Sequence, residues 1–158
     1  MKWYKLKQKI LKTRIKGIKF LYIQYYRSIL RKHCSHVGIH SSFQSEPILP
    51  HGLYRIFISN GASIGKNCVI FHQVTIGSNT LEDSKGRGAP TVGDNVYIGA
   101  GAKIIGCVKI GNNVRIGANC VVVENIPDDC VVVLNKPRIL QKSNILNKFI
   151  VYDHKSDT

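Results

Sequence analysis

Histidine is the residue type in this chain that is best suited to proton transfer near neutral pH, because imidazole gains and loses a proton in that range. The sequence has six histidines, and four of them lie between His33 and His51. Their spacing is not that of a zinc site. The repetitive segment after them holds a single histidine, His72. We therefore expect these histidines to hold no metal ion.

Cysteine is the second residue type that could carry chemistry. The five cysteines are odd in number and include no Cys-x-x-Cys pair, which argues against a disulfide framework and favours a reducing compartment. We therefore expect a cytoplasmic protein. The roles of individual thiols depend on the segments that carry them.

Apolar residues return every six positions between residues 58 and 126. Neither the period of an α-helix nor that of a β-strand produces this spacing, whereas a hexapeptide period is typical of a parallel β-helix. Three flat faces would make one triangular turn of about eighteen residues, so the segment encodes roughly four to five turns. A sandwich of short strands is the alternative, but its turns would not recur at six residues. The apolar positions are Ile58, Ile64, Ile70, Ile76, Val92, Ile98, Ile104, Ile110, Ile116 and Val122.

Two further positions of each repeat support a thin prism. The residue four after each apolar position is small or β-branched, and Cys68 and Cys120 occupy this slot, so we interpret both as core residues and not as nucleophiles. The residue three positions after each apolar position is nearly always glycine or asparagine, which tolerate positive φ most readily. This predicts a sharp corner in every repeat. The corner residues are Gly61, Asn67, Asn79, Asn95, Gly101, Asn113, Asn119 and Asn125, with Gln73 and Cys107 as exceptions.

One insertion interrupts the repeat. The spacing between Ile76 and Val92 is sixteen residues, and the added segment, residues 78–89, is polar and glycine-rich. We expect it to leave the prism as an exposed loop. Such insertions often lie on the binding face of a solenoid, although a loop without a function is the alternative.

Residues 1–33 form a basic amphipathic extension that we predict to be helical. Eleven of the 23 basic residues lie between Lys2 and Lys32, while all nine acidic residues lie at Glu46 or later. Apolar residues recur at three- and four-residue spacing, and Gly17 is the expected weak point. Such a helix suits the surface of an anionic membrane. Equally, its apolar stripe could pack on the β-helix or on another subunit. No nucleic-acid motif accompanies the charge, and no uncharged apolar run approaches the length of a membrane span.

Two motifs carry a family resemblance. The segments GASIGKNCVIFHQVTIGSN, residues 61–79, and GAPTVGDNVYIGAGAKIIG, residues 88–106, resemble the serine acetyltransferase branch of the hexapeptide-repeat acyltransferases. The resemblance covers roughly residues 37–140. It implies a left-handed parallel β-helix over residues 34–140, acetyl-CoA as donor, an O-acetyl product, and a homotrimer with active sites between subunits. Residues 141–158 form a C-terminal tail that resembles nothing we can place.

The same resemblance assigns site residues. His51, just before the first full coil, matches the family's general base, which implies direct transfer without an acyl-enzyme. Glu46 is a candidate to orient it, and His72 a candidate to line the substrate cleft. For the coenzyme the resemblance and the nearby cations indicate Gly77, Ser78, Ala100, Arg115, Ala118, Lys136 and Arg138.

Several family features are missing. Gly38 and Pro50 stand where serine acetyltransferases have aspartates, and Ala89 replaces a second histidine. Residues 1–36, which precede the resemblance, are too few to form the family's large helical N-terminal domain. These losses affect recognition of serine more than acetyl transfer. Shorter members of the branch modify sugars, so we expect a sugar hydroxyl of a cell-surface polysaccharide or lipid-linked precursor as acceptor, reached from the inner face of the membrane. Serine is the alternative acceptor, and a non-catalytic scaffold at the membrane is the alternative of another class.

Overall fold

The computed structural model describes residues 2–136, 138–141 and 143. Two helices, α1 (Lys2–Lys12) and α2 (Lys16–Lys32), precede thirteen strands of two or three residues within these ranges. The strands are β1 (His36–Val37), β2 (Ser42–Phe43), β3 (Phe57–Ile58), β4 (Ser63–Ile64), β5 (Val69–Ile70), β6 (Thr75–Gly77), β7 (Thr91–Val92), β8 (Tyr97–Ile98), β9 (Lys103–Ile105), β10 (Lys109–Ile110), β11 (Arg115–Ile116), β12 (Val121–Val122) and β13 (Val131–Val132).

Every strand pair is parallel, and the strands form three sheets that are the faces of a prism. The first sheet has the order β1-β3-β6-β9-β12, the second β10-β7-β4-β2, and the third β13-β11-β8-β5. The isolated bridges of Ile48 to Val69 and of Ile126 to Ile110 complete the first and last coils, which gives five coils. The predicted left-handed parallel β-helix is confirmed.

The hexapeptide positions form the core, as predicted. The isoleucines of the repeat are at most 2% exposed, and equivalent residues pair in register on successive coils, as Ile58 does with Ile76 and Ile76 with Ile104. Cys68 and Cys120 are buried among them. Burial raises the pKa of the Cys68 thiol, which disfavours the thiolate that a nucleophile requires.

The corner prediction holds at two of the three edges of the prism. Between the second and third sheets, Asn67, Asn95 and Asn113 have φ of 54° to 57°, and their side-chain amides form a ladder with N–O distances of 3.0 and 3.2 Å. We call this the asparagine edge. Between the third and first sheets, Gly101 and Asn119 have φ of 73° and 58°.

The edge between the first and second sheets differs. Gly61, Asn79 and Asn125 do not adopt positive φ there, contrary to the expectation of a left-handed corner in every repeat. The turn from Ser59 to Ala62 still closes through an N–H to carbonyl hydrogen bond of 3.3 Å, but with negative φ at its third residue, as in a type I turn that most residues can adopt. The insertion also leaves the prism at this edge, which we call the loop edge.

The N-terminal extension is helical, but it is two helices and not one. The break is at residues 13–15, before Gly17. α1 buries Trp3, Leu6 and Ile10, with the Trp3 ring 5.9 Å from that of Phe43 on the first coil. The helix therefore closes the end of the hydrophobic core. No helix in the described part of the chain is long and apolar enough to cross a membrane.

Lys7 is the unusual residue in this helix cap. It is 1% exposed, its ammonium donates to the carbonyl oxygen of Ser41, and it lies 5.5 Å from the centroid of the Phe43 ring. Burial lowers the pKa of Lys7 from 10.5 to about 8. The folded chain therefore holds this proton less tightly than the unfolded chain.

Replacing Lys7 by methionine should make the slope of the unfolding free energy against pH less positive between about 8 and 10.5. In this range the unfolded wild-type chain keeps a proton on Lys7 that the folded chain has lost, so the contribution of Lys7 to stability rises with pH. Urea unfolding of both proteins across this range measures the difference. Equal slopes for the two proteins would contradict the lowered pKa.

Candidate active site

His51 and His72 come together at the edge between the third and first sheets, which we call the histidine edge. His51 lies in the turn after the first coil, where the Gly52 N–H donates to the Leu49 carbonyl at 3.1 Å. His72 follows β5, one coil later. Their ring centroids are 5.0 Å apart with the planes nearly perpendicular, and Phe71 lies 5.6 Å from His51.

A small open pocket of about 210 Å³ lies at the histidine pair. It is lined by His51, Tyr54 and His72, of which His51 and Tyr54 are exposed. His72 is half-buried, and its Nδ1 is buried with no hydrogen-bond partner among the residues that the structure describes. Buried polar atoms are nearly always paired, so the unpaired nitrogen makes His72 unusual among the described residues.

Lys103 supplies a positive charge to this edge. Its ammonium donates to the carbonyl oxygens of Gln73 and Gly101, both at 2.8 Å, and the Gly101 N–H donates to the His72 carbonyl at 3.0 Å. The cation is therefore held one residue from His72. Nothing in the sequence marks Lys103, because only the stacking of coils brings it here.

Two of the predicted coenzyme residues continue the histidine edge. Ala100 lies at the corner of the next coil and Ala118 one coil further, and the Asn119 N–H donates to the Ala100 carbonyl at 2.8 Å. A Cβ on Gly99 would come within 2.7 Å of the Ala118 nitrogen, so the coils approach closely. The edge thus presents two histidines followed by a column of small residues.

The other predicted site residues lie elsewhere. Gly77 and Ser78 are at the loop edge, and Arg115 is exposed on the third sheet. Lys136 and Arg138 are exposed after β13, beyond the last corner of the histidine edge. Glu46 lies at the asparagine edge, because the hydroxyl of the neighbouring Ser45 accepts the Asn67 N–H at 3.0 Å. Ile48, which bridges to Val69 on the third sheet, lies between Glu46 and His51 along the chain.

The insertion folds back onto the prism. Asn79 and Gly88 form a two-way backbone pair at 2.8 and 2.9 Å, and the Cys107 N–H donates to the Gly86 carbonyl at 2.9 Å. Ala89 is close to Gly61, where an added Cβ would lie 2.9 Å from the Ala89 Cβ. The loop therefore covers the loop edge of its own chain and does not reach the histidine pair.

Known proteins with the same repeat were compared with this chain. A family model described as bacterial transferase hexapeptide (six repeats) matches residues 89–123. This segment of the chain is similar to the hexapeptide repeats of that family. Among the relatives of this chain, the serine acetyltransferase of Mycobacterium tuberculosis is 47% identical over 78 residues, which cover 49% of this chain and 33% of the relative.

Solved structures extend the similarity. Serine acetyltransferase isoform 3 of Entamoeba histolytica in complex with cysteine superposes with a TM-score of 0.64 at 31% identity, covering 87% of this chain and 49% of the other. Neisseria gonorrhoeae serine acetyltransferase in complex with serine superposes with a TM-score of 0.66 at 29% identity, covering 85% of this chain and 55% of the other. The chain spans about half or less of the length of several relatives that it matches.

Gly38 explains one departure from the serine acetyltransferases. A Cβ on Gly38 would lie 2.5 to 2.7 Å from Oδ1, Cα and N of Asn60. Two of these atoms are backbone, so no side chain fits there without a shift of the next coil. In this chain the aspartate expected from the resemblance is therefore not only missing but sterically excluded.

Proposed function

We propose that this chain transfers an acetyl group from acetyl-CoA to a hydroxyl group, with serine as the acceptor. The observation that carries the proposal is the histidine pair, whose rings lie 5.0 Å apart beside an open pocket. The relatives named serine acetyltransferase support the choice of acceptor.

His51 is the general base in this proposal. Its imidazole takes the proton of the acceptor hydroxyl while the hydroxyl oxygen attacks the thioester carbonyl. A carbon–oxygen bond forms, the carbon–sulfur bond breaks, and the proton passes from His51 to the departing CoA thiolate. The acetyl group moves directly, without an acyl-enzyme. The positive charge of Lys103 favours the oxyanion that develops during the attack.

The small residues of the histidine edge would accommodate acetyl-CoA. The side chains of Ala100 and Ala118 leave room for the pantetheine arm along the coils. Lys136 and Arg138, exposed after the last coil, suit the phosphate groups, because cations bind polyphosphates by charge-assisted hydrogen bonds.

We propose a homotrimer with the active site between subunits. Gly77, Ser78 and the insertion lie at the loop edge, whereas the histidines lie at another edge of the same prism. Residues from both edges can contribute to one site only if different subunits supply them. The solution mass should therefore be three times the 17.7 kDa of one chain, as measured by light scattering. A monomeric mass would contradict the shared site.

A sugar hydroxyl is the second candidate acceptor, as the sequence suggested. The observation that favours it is the absence of carboxylates. None of the described residues lining the histidine pocket is acidic, and Gly38 leaves no space for an acidic side chain. An amino acid acceptor has an ammonium group that such a carboxylate would bind, whereas a sugar has none.

Release of the CoA thiol tests the reaction and the acceptor together. We expect thiol release from acetyl-CoA with serine above the rate without acceptor. If nucleotide-linked or lipid-linked sugars were turned over faster than serine, a sugar and not serine would be the acceptor. No release with any acceptor, together with no binding of acetyl-CoA in calorimetry, would contradict the enzyme and favour the non-catalytic scaffold.

We further propose that the N-terminal helices contact an anionic membrane surface. α2 exposes Ile18, Phe20, Leu21 and Tyr25 by 42% to 66%, on a segment without acidic residues. Exposed apolar side chains beside lysine and arginine are the composition of an interfacial helix. Co-sedimentation should be stronger with phosphatidylglycerol vesicles than with phosphatidylcholine vesicles. Equal sedimentation with both would contradict this contact.

A further inference from the structure

A groove of about 400 Å³ lies between α2 and the first coil, away from the histidine edge. Buried apolar side chains form its floor, and basic side chains form its rim. The floor contains Leu30 and Val37, 5% and 1% exposed. None of the residues assigned to acetyl transfer lines it.

The rim is positively charged and lacks a counter-charge. Arg27 and Arg31 lie one helical turn apart, and His36 and His40 line the side formed by the first coil. No acidic residue precedes Glu46 in the sequence, and none of the described residues that line the groove is acidic. Like charges four residues apart on a helix repel each other, so an anion between them would be stabilising.

Asn60 adds a hydrogen-bond donor to the groove. Its side-chain oxygen accepts the backbone N–H of His40 at 3.2 Å, which orients the amide because a backbone N–H can only donate. The amide nitrogen has no acceptor among the residues that the structure describes, so it can donate to a bound oxygen. Two guanidinium groups and an amide are a donor set for a phosphate group.

The surroundings of the groove indicate which kind of phosphate compound would bind there. Phe20 precedes Arg27 by seven residues, which places both on one face of α2, and Phe20 as a residue is 59% exposed. A soluble phosphate would need no such ring, whereas a phospholipid brings acyl chains next to its phosphate. Aromatic side chains and arginines on one helix face suit the lipid headgroup region.

We propose that the groove between α2 and the first coil binds the phosphate of an anionic phospholipid headgroup, with Arg27 and Arg31 as the principal contacts. This inference rests on the proposed membrane contact. It adds a defined headgroup site to what could otherwise be diffuse attraction of a basic surface.

Vesicle binding by the full chain separates a defined site from diffuse charge. Arg27→Gln/Arg31→Gln should weaken binding to phosphatidylglycerol vesicles by tenfold or more relative to Lys9→Gln/Lys12→Gln, which removes the same charge from the exposed end of α1. Phe20→Ser should weaken binding more than Leu21→Ser does, because Leu21, although 66% exposed, lies on another face of α2 than Arg27. Circular dichroism checks that each variant is folded.

Two results would overturn the headgroup site. Equal losses in both double variants would leave membrane contact in place but assign it to diffuse charge. The groove would be a site for soluble phosphate if two results were obtained together. Inorganic phosphate at low millimolar concentration would displace the wild-type chain from vesicles, and it would bind the chain equally well when no vesicles are present. If the wild-type chain did not bind vesicles, both the membrane contact and the headgroup site would be contradicted. Thiol release would still test the acetyl transfer, because that assay does not depend on vesicles.

Discussion

Replacing His51 by alanine should lower kcat for acetyl transfer by about 10²- to 10⁴-fold, the range over which a positioned general base contributes. The reason is that no other group in the pocket is assigned to take the proton of the acceptor. Affinity for acetyl-CoA should change little, because Ala118, Lys136 and Arg138 lie toward the other end of the prism. Steady-state thiol release gives kcat, and calorimetry gives the affinity.

A matched variant controls for general effects of mutation. Lys66→Ala removes an exposed side chain at the asparagine edge and should leave kcat unchanged. Full activity in His51→Ala would contradict the assignment of the base. If His72→Ala abolished turnover while His51→Ala did not, the two histidines would exchange roles and the rest of the proposal would stand.

Replacing Ile104 by alanine should lower the free energy of unfolding by about 2 to 5 kcal/mol. Ile104 is fully buried in the first sheet, paired with Ile76 below and Val122 above. A prism of two-residue strands has little freedom to close the resulting cavity, because each coil is held in register by the coils on both sides.

Val121→Ala is the control for this substitution. Val121 belongs to the adjacent strand but is 63% exposed, so its truncation should change stability by no more than about 0.5 kcal/mol. Urea unfolding at one fixed protein concentration measures both variants, since any assembly of subunits makes stability depend on concentration. Equal losses in the two variants would contradict the assignment of inward and outward positions.

The repeat made most of the fold predictable. A six-residue period is typical of a parallel β-helix in which every sixth residue points inward, and the buried isoleucines follow it without exception. The corners were less predictable. Glycine at position 61 and asparagine at position 79 suggested positive φ. At the loop edge, however, the chain turns at Gly61 without positive φ, and at Asn79 the insertion leaves the prism.

The helical extension was predictable in type but not in organisation. Periodicity indicates an apolar stripe but does not say which part of it the rest of the protein covers. Trp3, Leu6 and Ile10 pack on the end of the prism, while Ile18, Leu21 and Tyr25 stay exposed. The sequence pattern of these two groups is the same, and only the position of the first coil distinguishes them.

The candidate site shows the same division between local and long-range information. The sequence by itself determined the prism, its core and the residue types available for acid–base chemistry, because these depend on spacing within a few residues. The tertiary structure decided which of them meet. Stacking of coils brings His51, His72 and Lys103 to one edge across separations of up to fifty-two residues, and it assigns Glu46 and Gly77 to other edges. Contacts between coils depend on how many residues each corner and insertion consumes, and that quantity is settled only when the chain closes on itself.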